Sequence, residues 1–280
     1  MIEFPEAITI ARQINATLKG KTIAVGNRGN APHKFAFCSS RSPEEDAALF
    51  EGKTFGDATT NGPLILAALE PEHVLVLGGG GEHIVYHPSS ATLPKKYQLY
   101  LQFTDDTYLT VTVQGWGSTM LLHQTELPNH FELKEKFNKP SPLSDAFSES
   151  YFLELFQSLD PDSASSVKYF LISKPGVWGI GNGCLQDILW RAKIHPRRRA
   201  VGLSESERRR LYATIRSTLQ EMVDGGGRDG DFDLYDHPGG YQRVLHSKVV
   251  GQPCPACGAP IEKAAYLGGA IYYCPSCQVI

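Results

Sequence analysis

The sequence predicts an α+β protein of several domains: a leading helix with an N-terminal β-sandwich, a helical domain, and a C-terminal four-cysteine zinc-finger hairpin. Three observations predict it. Between residues 22 and 122, short alternating apolar stretches are separated by turn residues, the pattern of a sandwich or barrel. After residue 150 the apolar spacing changes to the helical period. Four of the six cysteines fall in the last stretch as two C-x-x-C pairs.

The leading helix is expected at 5–19. Ala7, Ile10, Ala11, Ile14 and Leu18 share a face, Pro5 suits the first position, and Gly20 supplies the C-terminal cap. Strands are expected at 22–25, 34–38, 64–68, 73–77, 83–87, 98–103, 108–113 and 118–122. Asp105-Asp106 reads as a tight turn between two of them. The glycines of 78–81 read as a loop or bulged strand end, with a phosphate cradle as the other reading. Residues 124–149 are polar and carry Pro128, Pro140 and Pro142, which marks an interdomain linker. Short helices follow at 151–159 and 165–172. A longer one at 205–223 opens with the capping box of Ser204 and Glu207 and buries Leu211, Ile215, Leu219 and Met222. Gly225 ends it, and 225–231 reads as a flexible loop. The resulting division is 1–125 for the sandwich, 126–149 for the linker, 150–250 for the helical domain and 251–280 for the finger.

Residues 174–196 stand out from their surroundings. Gly176, Gly179, Gly181 and Gly183 crowd a turn, and Leu185, Ile188, Leu189 and Ala192 then fall on one helical face before Pro196 stops the run. A glycine-rich turn feeding a helix gathers unpaired N–H groups at one point, which favours phosphate. A plain tight turn between two helices is the alternative.

Cys254 and Cys257 form one pair, and Cys274 and Cys277 the other, with sixteen residues between them. That spacing is a structural zinc pattern, one ion per chain. Paired disulfides or a redox site are the competing readings. A cytosolic setting disfavours the first, and duplication of the pair disfavours the second. Cys38 and Cys184 are isolated and read as small buried apolar side chains.

Composition points to an ordinary globular protein: 41% hydrophobic, 20% charged, net charge −3. The charge is uneven. Residues 1–190 carry 14 basic and 21 acidic side chains, while residues 191–280 carry 13 and 9. A basic C-terminal third suits a nucleic-acid partner. No apolar run has membrane-spanning length. A cytoplasmic, nucleoid-associated monomer is expected, with no membrane partner.

Gly179-Ile180-Gly181-Asn182, Leu189-Trp190-Arg191-Ala192 and Ile194-His195-Pro196, followed by Gly-Gly-Tyr-Gln at 239–242 and the closing Tyr-Tyr-Cys-Pro-Ser-Cys-Gln, resemble the formamidopyrimidine-DNA glycosylase/endonuclease VIII family. The resemblance covers nearly the whole chain. It implies a helix–two-turn–helix domain whose Gly181, Asn182 and Gly183 grip the DNA backbone beside a lesion. It implies base-excision repair on damaged or abasic double-stranded DNA. Family enzymes begin Met-Pro-Glu-Leu-Pro-Glu, and after methionine removal the proline amine attacks the sugar C1′ while the next glutamate moves protons. Here the start is Met1-Ile2-Glu3-Phe4-Pro5-Glu6. Glu3 matches the proton-moving glutamate and Glu6 the supporting one, but Ile2 replaces the nucleophile.

Other family positions are changed as well. Pro63 falls near the family's strand-leading lysine, Gly79 at its gap-filling methionine, Gly115 at its wedge arginine and Gly269 at its finger arginine. Trp116 keeps an aromatic wedge position. The resemblance therefore implies a DNA glycosylase of altered chemistry, without the family's abasic-site lyase reaction. A catalytically inactive lesion-binding relative and an RNA-binding relative are the alternatives. An activated water needs only a carboxylate, which Glu3 supplies. Stabilisation of the helix dipole is the competing role for Glu3.

Overall fold

The computed structural model describes all residues except 32, 34–40, 118, 131 and 132. The strand expected at 34–38 and the environment of Cys38 lie outside the described residues. The chain divides into two compact units. One is Met1–Asn138 with Val223–Tyr241, and the other is Lys139–Met222 with Gln242–Ile280.

The first unit opens with helix α1 (Phe4–Thr17), capped by Glu3, and Pro5 sits within its first turn. Its strands are β1 (Ile23–Asn27), then, after helix α2 (Pro43–Phe50), β2 (Thr54–Asn61), β3 (Leu64–Glu70), β4 (His73–Gly78), β5 (Glu82–His87), β6 (Leu99–Phe103), β7 (Tyr108–Val113) and β8 (Met120–His123). Helix α3 (Lys134–Phe137) is a single turn. The strands form two antiparallel four-stranded sheets, ordered β1-β6-β7-β5 and β2-β3-β4-β8. The period-2 pattern explains the packing. Ile65, Ala67 and Leu69 of one sheet and Leu99, Leu101 and Phe103 of the other point into one core, closed by Ile10, Ile14 and Leu18 of α1.

Three elements had no counterpart in the sequence: α2, β2 and the single turn α3, which falls in the stretch expected as a linker. Ser42 and Glu45 make a reciprocal capping box for α2, the local signal that reading overlooked. Asp46 of α2 is fully buried between Arg28, at 2.6 Å, and Arg41, at 2.8 Å. β2 was hidden because its register shifts between Phe55 and Ala58, which breaks the alternation.

The second unit contains α4 (Glu149–Gln157), α5 (Val167–Ile172), α6 (Asn182–Arg191) and most of α7 (Glu205–Asp224). Phe156 and Phe170 stack at 4.1 Å between α4 and α5. The Ser204–Glu207 capping box is present, with Ser204 N–H donating to the Glu207 carboxylate at 2.8 Å. α6 ends before Pro196. Lys193 takes a left-handed φ of 55°, Lys193 N–H reaches Trp190 O at 3.1 Å, and Ile194 N–H reaches Leu189 O at 3.0 Å. This pair of bonds is the Schellman closure of a helix. Strands β9 (Glu262–Tyr266) and β10 (Gly269–Tyr273) make the terminal hairpin. No helix among the described residues is long and apolar enough to cross a membrane.

Candidate active site and nucleic-acid interface

In the first unit, the chain start is built into the core. Ile2 is 4% exposed and belongs to the sandwich core. Its backbone N–H donates to Gly80 O at 2.9 Å. The nitrogen at this position is therefore an engaged peptide amide. The glycine run explains itself by close approach. Cβ atoms at Gly80 and Gly81 would lie 2.5 Å from Trp116 O and 1.9 Å from Gln114 O. Gly80 N–H donates to the Glu82 carboxylate at 3.1 Å, and Gly81 N–H to Trp116 O at 2.8 Å. The N–H groups of Gly80 and Gly81 thus serve the fold. Trp116, in the connection after β7 that packs against this run, has half its surface exposed.

Glu3 and Glu6 meet one arginine that the sequence reading missed. Arg228 is buried, with 2% of its side chain exposed, and contacts Glu3 at 3.1 Å, Glu6 at 2.8 Å and Asp231 at 3.0 Å. Glu6 also accepts from Glu3 N–H at 3.0 Å. Asp231 in turn pairs with the Met1 amine. The stretch read as a flexible loop is instead tied down. Gly240 N–H donates to Gly225 O at 2.8 Å and Tyr241 N–H to Gly227 O at 3.0 Å. Glu3 and Glu6 lie at the far end of the chain from Arg228, Glu6 by 222 residues, so the local sequence does not mark Arg228 as buried.

In the second unit, the glycine turn delivers Asn182 to the first position of α6, with Gly181 as its cap. The Asn182 amide donates to Ala270 O at 2.9 Å, and the buried Gln186 amide reaches the same oxygen at 3.2 Å. Gln186 also accepts from Tyr272 N–H at 3.0 Å. Buried Asp187 accepts from Val244 N–H at 2.9 Å and Leu245 N–H at 2.8 Å. One face of α6 thus carries the hairpin and the segment leading to it. A Cβ at Gly269 would lie 3.7 Å from both Asn182 Nδ2 and Lys168 Nζ. Lys168 is itself buried, and its ammonium donates to Tyr266 O at 2.8 Å. Burial holds the Lys168 amine below its ordinary range.

Cys254, Cys257, Cys274 and Cys277 bring four sulfurs within 4.8 Å of one another. Tetrahedral thiolates about 2.3 Å from a zinc would be separated by roughly 3.8 Å. The observed Cys254–Cys277 and Cys257–Cys274 separations are 3.9 and 3.4 Å. Burial opposes ionisation of Cys254, but N–H donors from Trp190, Ala256 and Cys257 prevail and bring its thiol down to about 6. Cys277, hydrogen-bonded to Cys257 and desolvated, is pushed up to about 12. Four thiols this close resist joint ionisation unless a cation sits among them, so the donor set fits a metal ion. Cys184 is fully buried in α6.

A family model described as the formamidopyrimidine-DNA glycosylase H2TH domain matches residues 139–232. The formamidopyrimidine-DNA glycosylase of Shouchella clausii is 30% identical over 293 residues, covering 99% of each chain. The chain belongs to the formamidopyrimidine-DNA glycosylase family. The Thermus thermophilus enzyme of the same name is 29% identical over 300 residues, covering 99% of this chain and 98% of its own. Among solved structures, Lactococcus lactis Fpg bound to abasic-site DNA superimposes with a TM-score of 0.83 at 23% identity, covering 99% of this chain and all of that one. The same protein with N7-benzyl-Fapy-dG DNA gives 0.84. Ile2 lies in the core of the first unit.

Proposed function

We propose that this protein is a DNA glycosylase that releases damaged bases from duplex DNA by hydrolysis and forms no proline imine. Its relatives carry the name formamidopyrimidine-DNA glycosylase, and its structural neighbours hold abasic and Fapy-dG DNA. The observation that carries the altered chemistry is the Ile2 amide, bonded to Gly80 O and sunk in the core. A Schiff base needs a free amine at a fixed position, and a peptide amide has no basic lone pair.

In this reading, Gly181, Asn182 and Gly183 hold phosphate at the start of α6. Trp116 enters the base stack, and the damaged nucleotide turns out of the duplex. Glu3 takes a proton from water as the water oxygen bonds to C1′. The bond from C1′ to the base nitrogen breaks, and the departing base takes its electron pair and then a proton. Cys254, Cys257, Cys274 and Cys277 would hold one zinc, whose contribution is to order the hairpin. The working form is a monomer acting on double-stranded DNA in the cytoplasm.

The test is a panel of oligonucleotide duplexes with mass spectrometry of released bases. Release of a free base without strand cleavage is expected. A second reading has its own observation: Glu3 is 3% exposed and already paired with Arg228. If the protein binds abasic or distorted duplex tightly but releases no base across the panel, it is a lesion-binding protein without catalysis.

A further inference from the structure

We propose that Arg228 is a positioning residue for base excision: its Nη1 fixes the Glu3 carboxylate as the proton acceptor for water, while Glu6 and Asp231 fix Arg228. This rests on the hydrolytic reading of Glu3 given above.

The division of labour follows from the contacts. Glu6 accepts from Arg228 Nε at 2.9 Å, Arg228 Nη2 at 2.8 Å and Arg228 backbone N–H at 3.1 Å, as well as from Glu3 N–H. Its oxygens are committed, and a fork-on-fork pair of this kind sets direction as well as distance. Nη2 also donates to Met1 O at 3.0 Å and faces Asp231 Oδ2 at 3.0 Å. The guanidinium is thus aimed by groups on three sides, and Nη1 is left pointing at Glu3 Oε1, 3.1 Å away.

The backbone is shaped for this delivery. Gly227 has a φ of +101°, and a Cβ there would sit 3.5 Å from Glu6. Gly239 approaches so closely that its Cβ would fall 2.2 Å from the Gly227 carbonyl carbon. Two glycines therefore hold Arg228 against Glu6 at a place where L side chains are strained.

Stability alone is a weak reason for such a cluster. Buried ion pairs rarely outperform apolar replacements of similar volume. A helix N-cap does not require a buried arginine. A proton acceptor does require fixed geometry and a supporting layer that keeps it charged. The cation beside Glu3 favours its carboxylate form before reaction. The same cation disfavours retention of the proton afterwards, so Glu3 passes it to the departing base and returns to its carboxylate form.

The test compares wild-type, Arg228→Gln and Arg228→Lys proteins in single-turnover base release from a duplex containing Fapy-dG. Arg228→Gln should slow base release by about 100-fold or more, the scale of one acid–base group, with affinity for a tetrahydrofuran abasic-analogue duplex within about threefold. The acid limb of its pH–rate profile should move to higher pH, because loss of the cation favours protonated Glu3. Arg228→Lys keeps the charge but not the fork, and should recover part of the rate. Circular dichroism and thermal melting establish folding, and if the glutamine variant does not fold, the lysine variant carries the test. A folded variant with the wild-type rate and an unmoved acid limb overturns the proposal. If wild-type protein releases no base, carbon NMR of labelled Glu3 decides instead. An upward titration shift in the variant keeps Arg228 as the positioning group while the hydrolytic reading fails, and an unchanged titration overturns both.

Discussion

Trp190 donates its indole N–H to the sulfur of Cys254 at 3.4 Å, so the four-cysteine cluster is wired to the side of α6 that also presents Asn182 and Gln186 to the hairpin. The four-cysteine cluster and the glycine-asparagine turn form one construction within the second unit. Damage to either is expected to reach the other.

Purified protein should carry one zinc per chain, and Cys274→Ser should lose both the metal and DNA binding. The tail has little core of its own, so metal binding and folding are coupled. Elemental analysis and fluorescence anisotropy with duplex DNA provide the check. Zinc-free protein that binds DNA normally would remove the finger from the account.

Asn182→Ala is expected to weaken binding to damaged and undamaged duplex alike, because backbone contacts carry no sequence or lesion information. The lost bond to Ala270 O should also cost about 1 kcal/mol of stability. Affinity of the wild-type protein should fall steeply with salt. A titration across salt concentrations separates the effects. Normal binding by the mutant to both duplexes would leave this turn as a helix connector.

Glu6→Gln should destabilise the first unit by about 3–5 kcal/mol, since it removes one partner from a buried ion pair. Urea unfolding reads the change. A loss below about 1 kcal/mol would mean that Asp231 and Glu3 alone satisfy Arg228.

Acid should also destabilise the first unit through His87. Burial lowers its pKa from the ordinary 6.5, and both ring nitrogens face threonine hydroxyls, Thr92 at 3.0 Å and Thr110 at 2.9 Å. The folded state then resists a proton that the unfolded state accepts. Stability should fall as pH drops below about 6.5 and level off once the folded-state pKa is passed. His87→Gln should flatten that dependence in thermal melts between pH 5 and 8. An unchanged slope would assign the effect to other groups.

The parts legible in the sequence were those encoded locally. Apolar period 2 marked β6 through Leu99, Leu101 and Phe103, the Ser204–Glu207 box marked the start of α7, and cysteine spacing marked the cluster. Arg228 was illegible for the opposite reason. It sits among glycines and acidic residues, as a solvated loop arginine would, and its burial is decided by Glu3 and Glu6 at the far end of the chain. Gln186 and Asp187 were hidden in the same way. On the helical wheel they look like ordinary polar positions, yet both are buried because the hairpin segment covers them. Ile2 is the instructive case. A change of residue type was visible at once, but only the fold placed its side chain in the core and its N–H on Gly80.

The most direct measurement is borohydride trapping of wild-type protein on an abasic-site duplex. The account predicts no covalent complex above background and no β-elimination product, because the Ile2 nitrogen is a bonded amide. Efficient trapping would contradict it, and would direct the search to an amine at Met1 or a processed Ile2, or to a lysine such as Lys21 or Lys95.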